Sequence, residues 1–304
     1  MADRPLPRRI AARAYNEFLV RPIADKDEIR SLLEPQRPYA AYAIGQLQAR
    51  LFERSAWWIS RGAGGQALLL HSSGGLGNAM FAHGTVDALE SALRLHPGPR
   101  YTFLTCELHH LDTVRRHYNL PDHNAVLRML VTRDTFRDFP GEVERLRGRD
   151  VREINRLYRS DGTPAFYSAQ NIDDAIYYGA FEGGRLIGVA GTHVISYPDS
   201  IAVAGNVFVH PKYRGRGLSR VVTGAVTREL LTGCRDVVLS VDPQNTPAVR
   251  SYQRLGYREV GRLIEGAATR HDIGLVAFAR RRIAMVRGRR YDAELVRIRD
   301  EERS

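Results

Sequence analysis

The chain has 304 residues and a formal charge of +11, long enough for two compact cores. Nearly all the positive charge is arginine, with Lys26 and Lys212 the only lysines, and it is spread over the whole chain, which argues against nucleic acid as the main partner. No stretch approaches the roughly 20 apolar residues that span a bilayer, so no membrane partner is expected.

Cys106 and Cys234 are the two cysteines. They make neither a disulfide framework nor a metal-ligand spacing, so a cytoplasmic setting and no metal are expected. Met1-Ala2-Asp3-Arg4-Pro5 carries charge with no apolar run behind it, so a secretory signal is not expected.

Residues 1–18 read as a short basic helix or frayed arm. Leu19–Ile23 is a candidate strand, and Asp25, Asp27 and Glu28 load the start of a helix with acid, which suits its dipole. Tyr39 to Phe52 reads as further helix. Ala56–Ser60 and Gln66–His71 form a hairpin across a glycine-rich connection. Ser72–Gly77 is a second glycine-rich loop, but it leads into Asn78–Gly84 rather than into a helix, so it reads as a turn. Val86–Leu95 is helical, Tyr101–Cys106 a strand, Leu111–Tyr118 helical and Ala125–Val131 a strand. Residues 133–149 read as a linker, from the polar stretch ending in Pro140-Gly141.

In the second half Asp150 is placed to cap a helix carrying Val151, Ile154, Leu157 and Tyr158. Tyr177–Glu182 and Arg185–Ile195 form a hairpin. The most informative stretch follows. Val207-Phe208-Val209 is an apolar run that stops at Pro211, which cannot donate to a sheet ladder. A turn with Gly215 and Gly217 leads into a helix with Leu218, Val221, Val222, Ala225, Val226 and Leu230 on one face, and Gly233 stands where a glycine cap is expected. Asp236–Val241 is a strand. Thr246 then reads as an N-cap and Pro247 as the first residue of a helix, with Ala248, Tyr252 and Leu255 on one face before Gly256. Arg258–Ile264 is a last strand. The tail carries Leu275, Val276, Phe278, Tyr291, Leu295 and Ile298 among charges and reads as a solvated or partner-packing helix.

Glycines ahead of a helix allow the backbone to approach a ligand closely, and the free N–H groups of the first turn favour an anion such as a diphosphate. Arg214, Arg216 and Arg220 add cationic donors. A Gly-Arg-Gly turn alone recurs by chance; its order with the later residues makes it specific. Arg214-Gly215-Arg216-Gly217-Leu218-Ser219, followed by Asn245, Ala248, Tyr252, Gly256 and Tyr257, resembles the acyl-CoA-binding half of the GNAT N-acetyltransferase superfamily. Ser219 stands where the pattern has glycine or alanine.

The resemblance implies an α/β protein, an α+β mixed sheet, in two GNAT-like domains: a degenerate one over 19–132 and a catalytic one over 150–266 that carries the acyl-CoA site, followed by a basic extension over 267–304. It implies acetyl-CoA as cosubstrate and a small-molecule or peptide amine as acceptor. Val207, Phe208 and Val209 are expected to pair with the pantetheine arm, with the Val209 N–H on the thioester carbonyl. Gly215, Arg216, Gly217, Leu218, Ser219 and Arg220, with Arg214, are expected around the diphosphate, and Asn245 on the cofactor. Tyr252 is expected to protonate the leaving thiolate, since a phenol of ordinary pKa near 10 is protonated at neutral pH. The strand Ile201–Asn206 has no acid to serve as base, which leaves His193 and Glu182 as candidates, or direct attack by free amine. The N-terminal half is expected to wall the acceptor cleft or to support a homodimer. Competing readings are a non-catalytic acyl-CoA sensor and an acetyltransferase acting on a nucleic-acid-associated substrate.

Overall fold

The structure is a computed structural model of the chain, and it describes residues 15–73, 77–120, 124–162, 165–271 and, beyond these, 274, 275, 279, 282, 283 and 294–299. The readings made for residues 1–14, for 74–76 in the second glycine loop and for Val276, Phe278 and Tyr291 in the tail lie outside the described residues.

The first half runs β1 (Tyr15–Pro22), α1 (Lys26–Leu33), α2 (Ala41–Gly45), α3 (Ala49–Phe52), β2 (Ser55–Gly62), β3 (Gly65–Ser72), β4 (Ala79–Gly84), α4 (Val86–Leu95), β5 (Tyr101–Glu107), α5 (Leu111–His117), β6 (Tyr118–Asn119) and β7 (Asn124–Thr132). The second runs β8 (Glu144–Arg145), α6 (Val151–Tyr158), α7 (Ala169–Asp173), β9 (Tyr178–Glu182), β10 (Arg185–Ser196), β11 (Ile201–Val209), α8 (Leu218–Gly233), β12 (Asp236–Val241), α9 (Thr246–Arg254), β13 (Arg258–Arg270) and β14 (Glu294–Arg299).

The strands join in one mixed sheet ordered β14-β1-β2-β3-β4-β5-β13-β7-β12-β11-β10-β9-β8, with β6 pairing β13 off this path. The two halves exchange strands at its centre. β7, from the first half, lies between β12 and β13, and β13, from the second, lies between β5 and β7. Each half also carries the same unit. β4 pairs parallel with β5 over Ala79–Phe81 only, and β11 pairs parallel with β12 over Ile201–Val203 only. In both units the strands part beyond that point, and a helix, α4 or α8, connects them.

Burial follows from sequence periodicity. α4 buries Ala88, Leu89, Ala92 and Leu93, which recur at helical spacing, in a cluster with β1, β3 and β5. α8 buries Val222, Ala225, Val226 and Leu230 against β10, β11 and β12. On the opposite face α1 and α2 place Ile29, Leu33 and Ile44 over Ile201, Val203 and Val238 of the second half as well as over β2 and β3. This cross-packing is tied by Arg30 to Asp199 at 2.8 Å and Arg37 to Asp236 at 2.7 Å.

Several local readings need correction. The segment Tyr39–Phe52 is two short helices, not one. Asp150 does not cap α6; its carboxylate accepts from the Arg147 N–H in the preceding turn. Gly233 is the last residue of α8 rather than its cap, and Cys234 continues with φ −116°. Asn245, not Thr246, caps α9, its Oδ1 accepting from the Ala248 N–H at 3.2 Å. β13 runs on to Arg270. In the tail, Leu295 and Ile298 lie on a strand, β14, paired antiparallel with β1 from Tyr15↔Arg299 to Val20↔Glu294. Ile298 is buried and Leu295 exposed: neighbouring residues alternate between the faces, a period of two rather than 3.6. Residues 133–141, in the stretch read as a linker, pack against the second half. The Arg137 N–H donates to the Leu255 carbonyl at 3.0 Å, and Phe136 and Phe139 join the α8 core.

Candidate active site

Where β11 and β12 part, the structure opens a cavity of about 650 Å³ lined from both halves. Ala204–Val207 and Leu239–Val241 form its strand walls, Asn245 at the cap of α9 and Ala248 and Tyr252 within it line one side, and Tyr42, Met80, Phe81 and Phe103 come from the first half. Beyond Val203, β11 has no strand partner on this side, so its backbone groups face the gap, the condition for an extended ligand to add as a strand. Residues Gly205–Val209 are half-exposed accordingly.

Asn206 shapes this strand and was not singled out as a site residue. Its φ is +52°, uncommon for a residue with a side chain, and it coincides with a register shift that sets Val189 opposite Phe208 but Gly191 opposite Gly205. Such a bulge re-aims the strand. Three tyrosines hold it there: the Tyr158 hydroxyl donates to the Asn206 carbonyl at 2.6 Å, the Tyr167 hydroxyl donates to Oδ1 at 3.0 Å, and Nδ2 donates to the Tyr177 hydroxyl at 2.7 Å.

After β11 the chain turns through Pro211–Tyr213 into Gly215 and Gly217, whose φ values are +82° and +79°. Only glycine holds these angles without strain. A Cβ at either would meet nothing within 4 Å, so the space beside the turn is open. Gly217 is the N-cap of α8, and no side chain occupies the cap. No side chain caps the N–H groups of Leu218 and Ser219 at the start of this 16-residue helix, as an anion cradle requires, while the Arg220 N–H already donates to the Gly217 carbonyl at 3.0 Å. The arginines are already engaged. Arg214 donates to the Val209 carbonyl at 3.2 Å and pairs with Asp161 at 3.4 Å; Arg216 pairs with Glu182 at 3.1 Å; Arg220 stacks on Phe139. Ser219 lies 3.4 Å from Ser251 of α9, hydroxyl to hydroxyl.

Residues 145–257 match the family model described as the acetyltransferase (GNAT) family. Over these residues the chain is similar to the GNAT acetyltransferase family. A mycothiol acetyltransferase of Thermomonospora curvata is 41% identical over 86 residues, which is 28% of this chain and 28% of that protein. The match thus spans little more than a quarter of the relative's length. Among solved structures, a Drosophila protein superposes with TM-score 0.58 over 81% of this chain and 98% of its own, at 16% identity. A GCN5-related N-acetyltransferase from Kribbella flavida does so with TM-score 0.53 over 78% and 97%, at 15% identity. These two likenesses concern the fold alone, an α/β mixed sheet running through both halves of the chain.

Within this matched stretch the expected catalytic residues separate. Tyr252 and His193 both line the cavity; Glu182 does not, and lies at the end of β9 in its exposed pair with Arg216. Burial pushes the Tyr252 phenol up to about 12. Burial, then the nearby Arg128 charge, pulls His193 down to about 4. The ring of His193 packs over Gly205, where a Cβ would come within 2.2 Å of Nε2, and against Tyr42 with ring centroids 5.8 Å apart. Sequence reading also missed Glu265, which lines the cavity while its Oε1 accepts from Nη2 of Arg128 at 3.0 Å. Glu265 and Asp242 are acidic lining residues, and neither lysine nor arginine lines the cavity among the described residues. No described helix is long and apolar enough to cross a membrane.

Proposed function

We propose that the chain is an acyl-CoA-dependent N-acyltransferase that moves an acetyl group from acetyl-CoA to an amine by direct attack, with residues 150–266 as the catalytic domain, residues 19–132 as a degenerate GNAT-like partner and 133–149 joining them. The observation that carries this reading is the parting of β11 from β12 beside an open, glycine-lined helix N-terminus, with Tyr252 in the same cavity. Gly215, Gly217 and the first turn of α8 take the diphosphate. Arg214 and Arg216 are within reach of it by exchanging their exposed carboxylate partners for phosphate, and Arg220 and Ser219 flank it. The backbone of Val207–Val209 pairs with the pantetheine arm, and the Val209 N–H polarises the thioester carbonyl. Asn245 contributes by ending the loop that shapes the cofactor side of the cavity, since its Oδ1 is committed to the α9 cap.

Tyr252 is the general acid. A phenol at about 12 is protonated at neutral pH and gives its proton to the thiolate as the C–S bond breaks. His193 at about 4 is a neutral imidazole but a weak base, and Glu182 lies outside the cavity. The amine therefore attacks as its free base, losing its second proton through water, with Glu265 offering a carboxylate toward a cationic acceptor. The similarity to a mycothiol acetyltransferase and the largely apolar walls contributed by the first half support a small-molecule acceptor. The two unpaired, buried cysteines support a cytoplasmic setting.

Calorimetric titration of acetyl-CoA into wild type and Gly217→Trp, followed by thiol release with a panel of amines, tests the reading. Binding lost in the variant and thiol released with one amine class is the expected result. Binding without release from any amine favours an acyl-CoA sensor, and absence of binding removes the proposal.

A further inference from the structure

The parting of β4 from β5 in the first half repeats the geometry of the acyl-CoA site, but different chemistry fills it. Gly84 ends β4 and α4 begins two residues later, leaving no glycine turn for a diphosphate. Glu107 is the last residue of β5, and Leu108–His110 form a short 3-10 turn after it. Because β4 and β5 are parallel, His83 near the end of β4 comes to the same edge. One ligand atom each from Glu107, His109 and His110 lies within 4.8 Å of the others. Glu107 Oε2 is 3.9 Å from His109 Nε2, 3.9 Å from His110 Nδ1 and 3.2 Å from His83 Nδ1.

The tautomer of His110 is set by its surroundings. Its Nε2 lies 2.8 Å from the Gly84 carbonyl, which can only accept, so Nε2 carries the proton. That leaves the lone pair on Nδ1, and Nδ1 is fully buried, faces Glu107 and has no hydrogen-bond partner. A buried acceptor left unpaired is costly, and a histidine whose second nitrogen donates to a backbone carbonyl is oriented as metal-ligating histidines are. Ligand atoms around a tetrahedral zinc stand roughly 3.3–3.5 Å apart, given bonds of about 2.0–2.1 Å. The two 3.9 Å spacings to Glu107 need to close by about half an ångström, and the three donor atoms together lie within 4.8 Å of one another. His109 is half-exposed and its Nε2 lies 3.2 Å from the same Gly84 carbonyl; turning to a metal costs that contact, while His110 keeps the carbonyl satisfied.

We propose that Glu107, His109 and His110 bind a divalent transition-metal cation, Zn2+ by the character of the donors, through one carboxylate oxygen, Nε2 of His109 and Nδ1 of His110. His83, whose Nδ1 lies 3.2 Å from that same Oε2, orients the carboxylate, and the remaining coordination position opens to solvent on the side of half-exposed His109. Mixed nitrogen and oxygen donors with three protein ligands suit zinc rather than magnesium or calcium. All three ligands stand at the end of β5 or in the turn after it; the contacts of His110 with the Gly84 carbonyl and of Glu107 with His83 tie the site to the end of β4. Thr105, two residues back along β5 from Glu107, lines the acyl-transfer cavity, so the site lies about 7 Å along the strand from that wall.

The test uses the tag-free full chain. Dialysed protein is titrated with ZnCl2 by calorimetry, and with Co2+ followed by its visible d–d absorption. Wild type is expected to take up about one ion per chain and to gain thermal stability with zinc. His109→Ala, at a half-exposed position that leaves folding intact, and Glu107→Gln are each expected to weaken binding by about tenfold or more. No uptake by wild type, or equal affinity in wild type and both variants, overturns the proposal. Acetyl-CoA binding is measured on the same samples and is expected to be unaffected by either variant.

Discussion

The guanidinium of Arg128 and the carboxylate of Glu265 meet at 3.0 Å although 137 residues separate them, and they do so because each sits on a strand that has crossed into the other half's sheet. Arg128 is among the largest fully buried side chains, and its Nε and Nη1 have no hydrogen-bond partner. Removing one member leaves the other charge buried and unpaired, which costs about 3–5 kcal/mol. Arg128→Met and Glu265→Gln are each expected to lower urea stability by that order, and the double variant to recover most of the loss. If the single variants unfold at the wild-type midpoint, the pair is not a fixed element of the junction.

Tyr252→Phe keeps the buried ring and removes only the hydroxyl. Thiol release is expected to fall by about 10²–10⁴-fold with acetyl-CoA affinity unchanged, and stability to change by no more than about 1 kcal/mol. A variant as fast as wild type would assign the proton to another donor.

Acid is expected to unfold this protein early. His71, His96 and His193 are each held at about 4, in every case chiefly by burial, against an ordinary value of 6.5. Their folded pKa values are depressed, so in this window the unfolded chain binds more protons, and stability falls as pH drops from about 6.5 toward 4. Each contributes up to about 1.4 kcal/mol per pH unit there. Urea midpoints measured between pH 7.5 and 4.5 check this. The same depression predicts that thiol release shows no inflection near 6.5 from His193 and instead follows ionisation of the acceptor amine.

Deleting residues 294–304 removes β14, which covers the outer edge of β1 over six residue pairs and buries Ile298 beside Phe18 and Val20. Loss of that side chain alone costs about 1.5–3 kcal/mol, and the bare edge of β1 becomes a template for self-pairing. A lower melting temperature with concentration-dependent light scattering is the expected outcome. Unchanged scattering would mean that another segment covers the edge.

Much of the catalytic half was legible because its signals are local. The apolar run before Pro211, the two glycines, the helical face from Leu218 to Leu230 and the strand Asp236–Val241 each declare themselves within a dozen residues, and the structure forms all four. What escaped depends on partners far away in sequence. Nothing in Asn124–Thr132 says that it pairs with Asp236–Val241 rather than with its own half. Leu295 and Ile298 fit a helical spacing as well as a strand, and only the register against Tyr15–Val20 decides. The left-handed backbone of Asn206 is fixed by tyrosines 29 to 48 residues away. Asn245 was read as a ligand contact and Thr246 as the cap; both can cap, and the chain geometry chose the first.

The strand exchange also dictates an order of events during synthesis. When β7 leaves the ribosome, neither of its neighbours, β12 and β13, yet exists, and β5 likewise waits for β13. At about 5–20 residues per second, the gap from Thr132 to Arg258 lasts roughly 6–25 s. Through that interval the first half carries an unpaired strand with Leu127, Met129 and Val131, residues that end up buried. The central sheet is then closed late, by pairings across more than a hundred residues, which makes folding slow for a protein of this size and makes the newborn first half a natural client for chaperones that shield open strands.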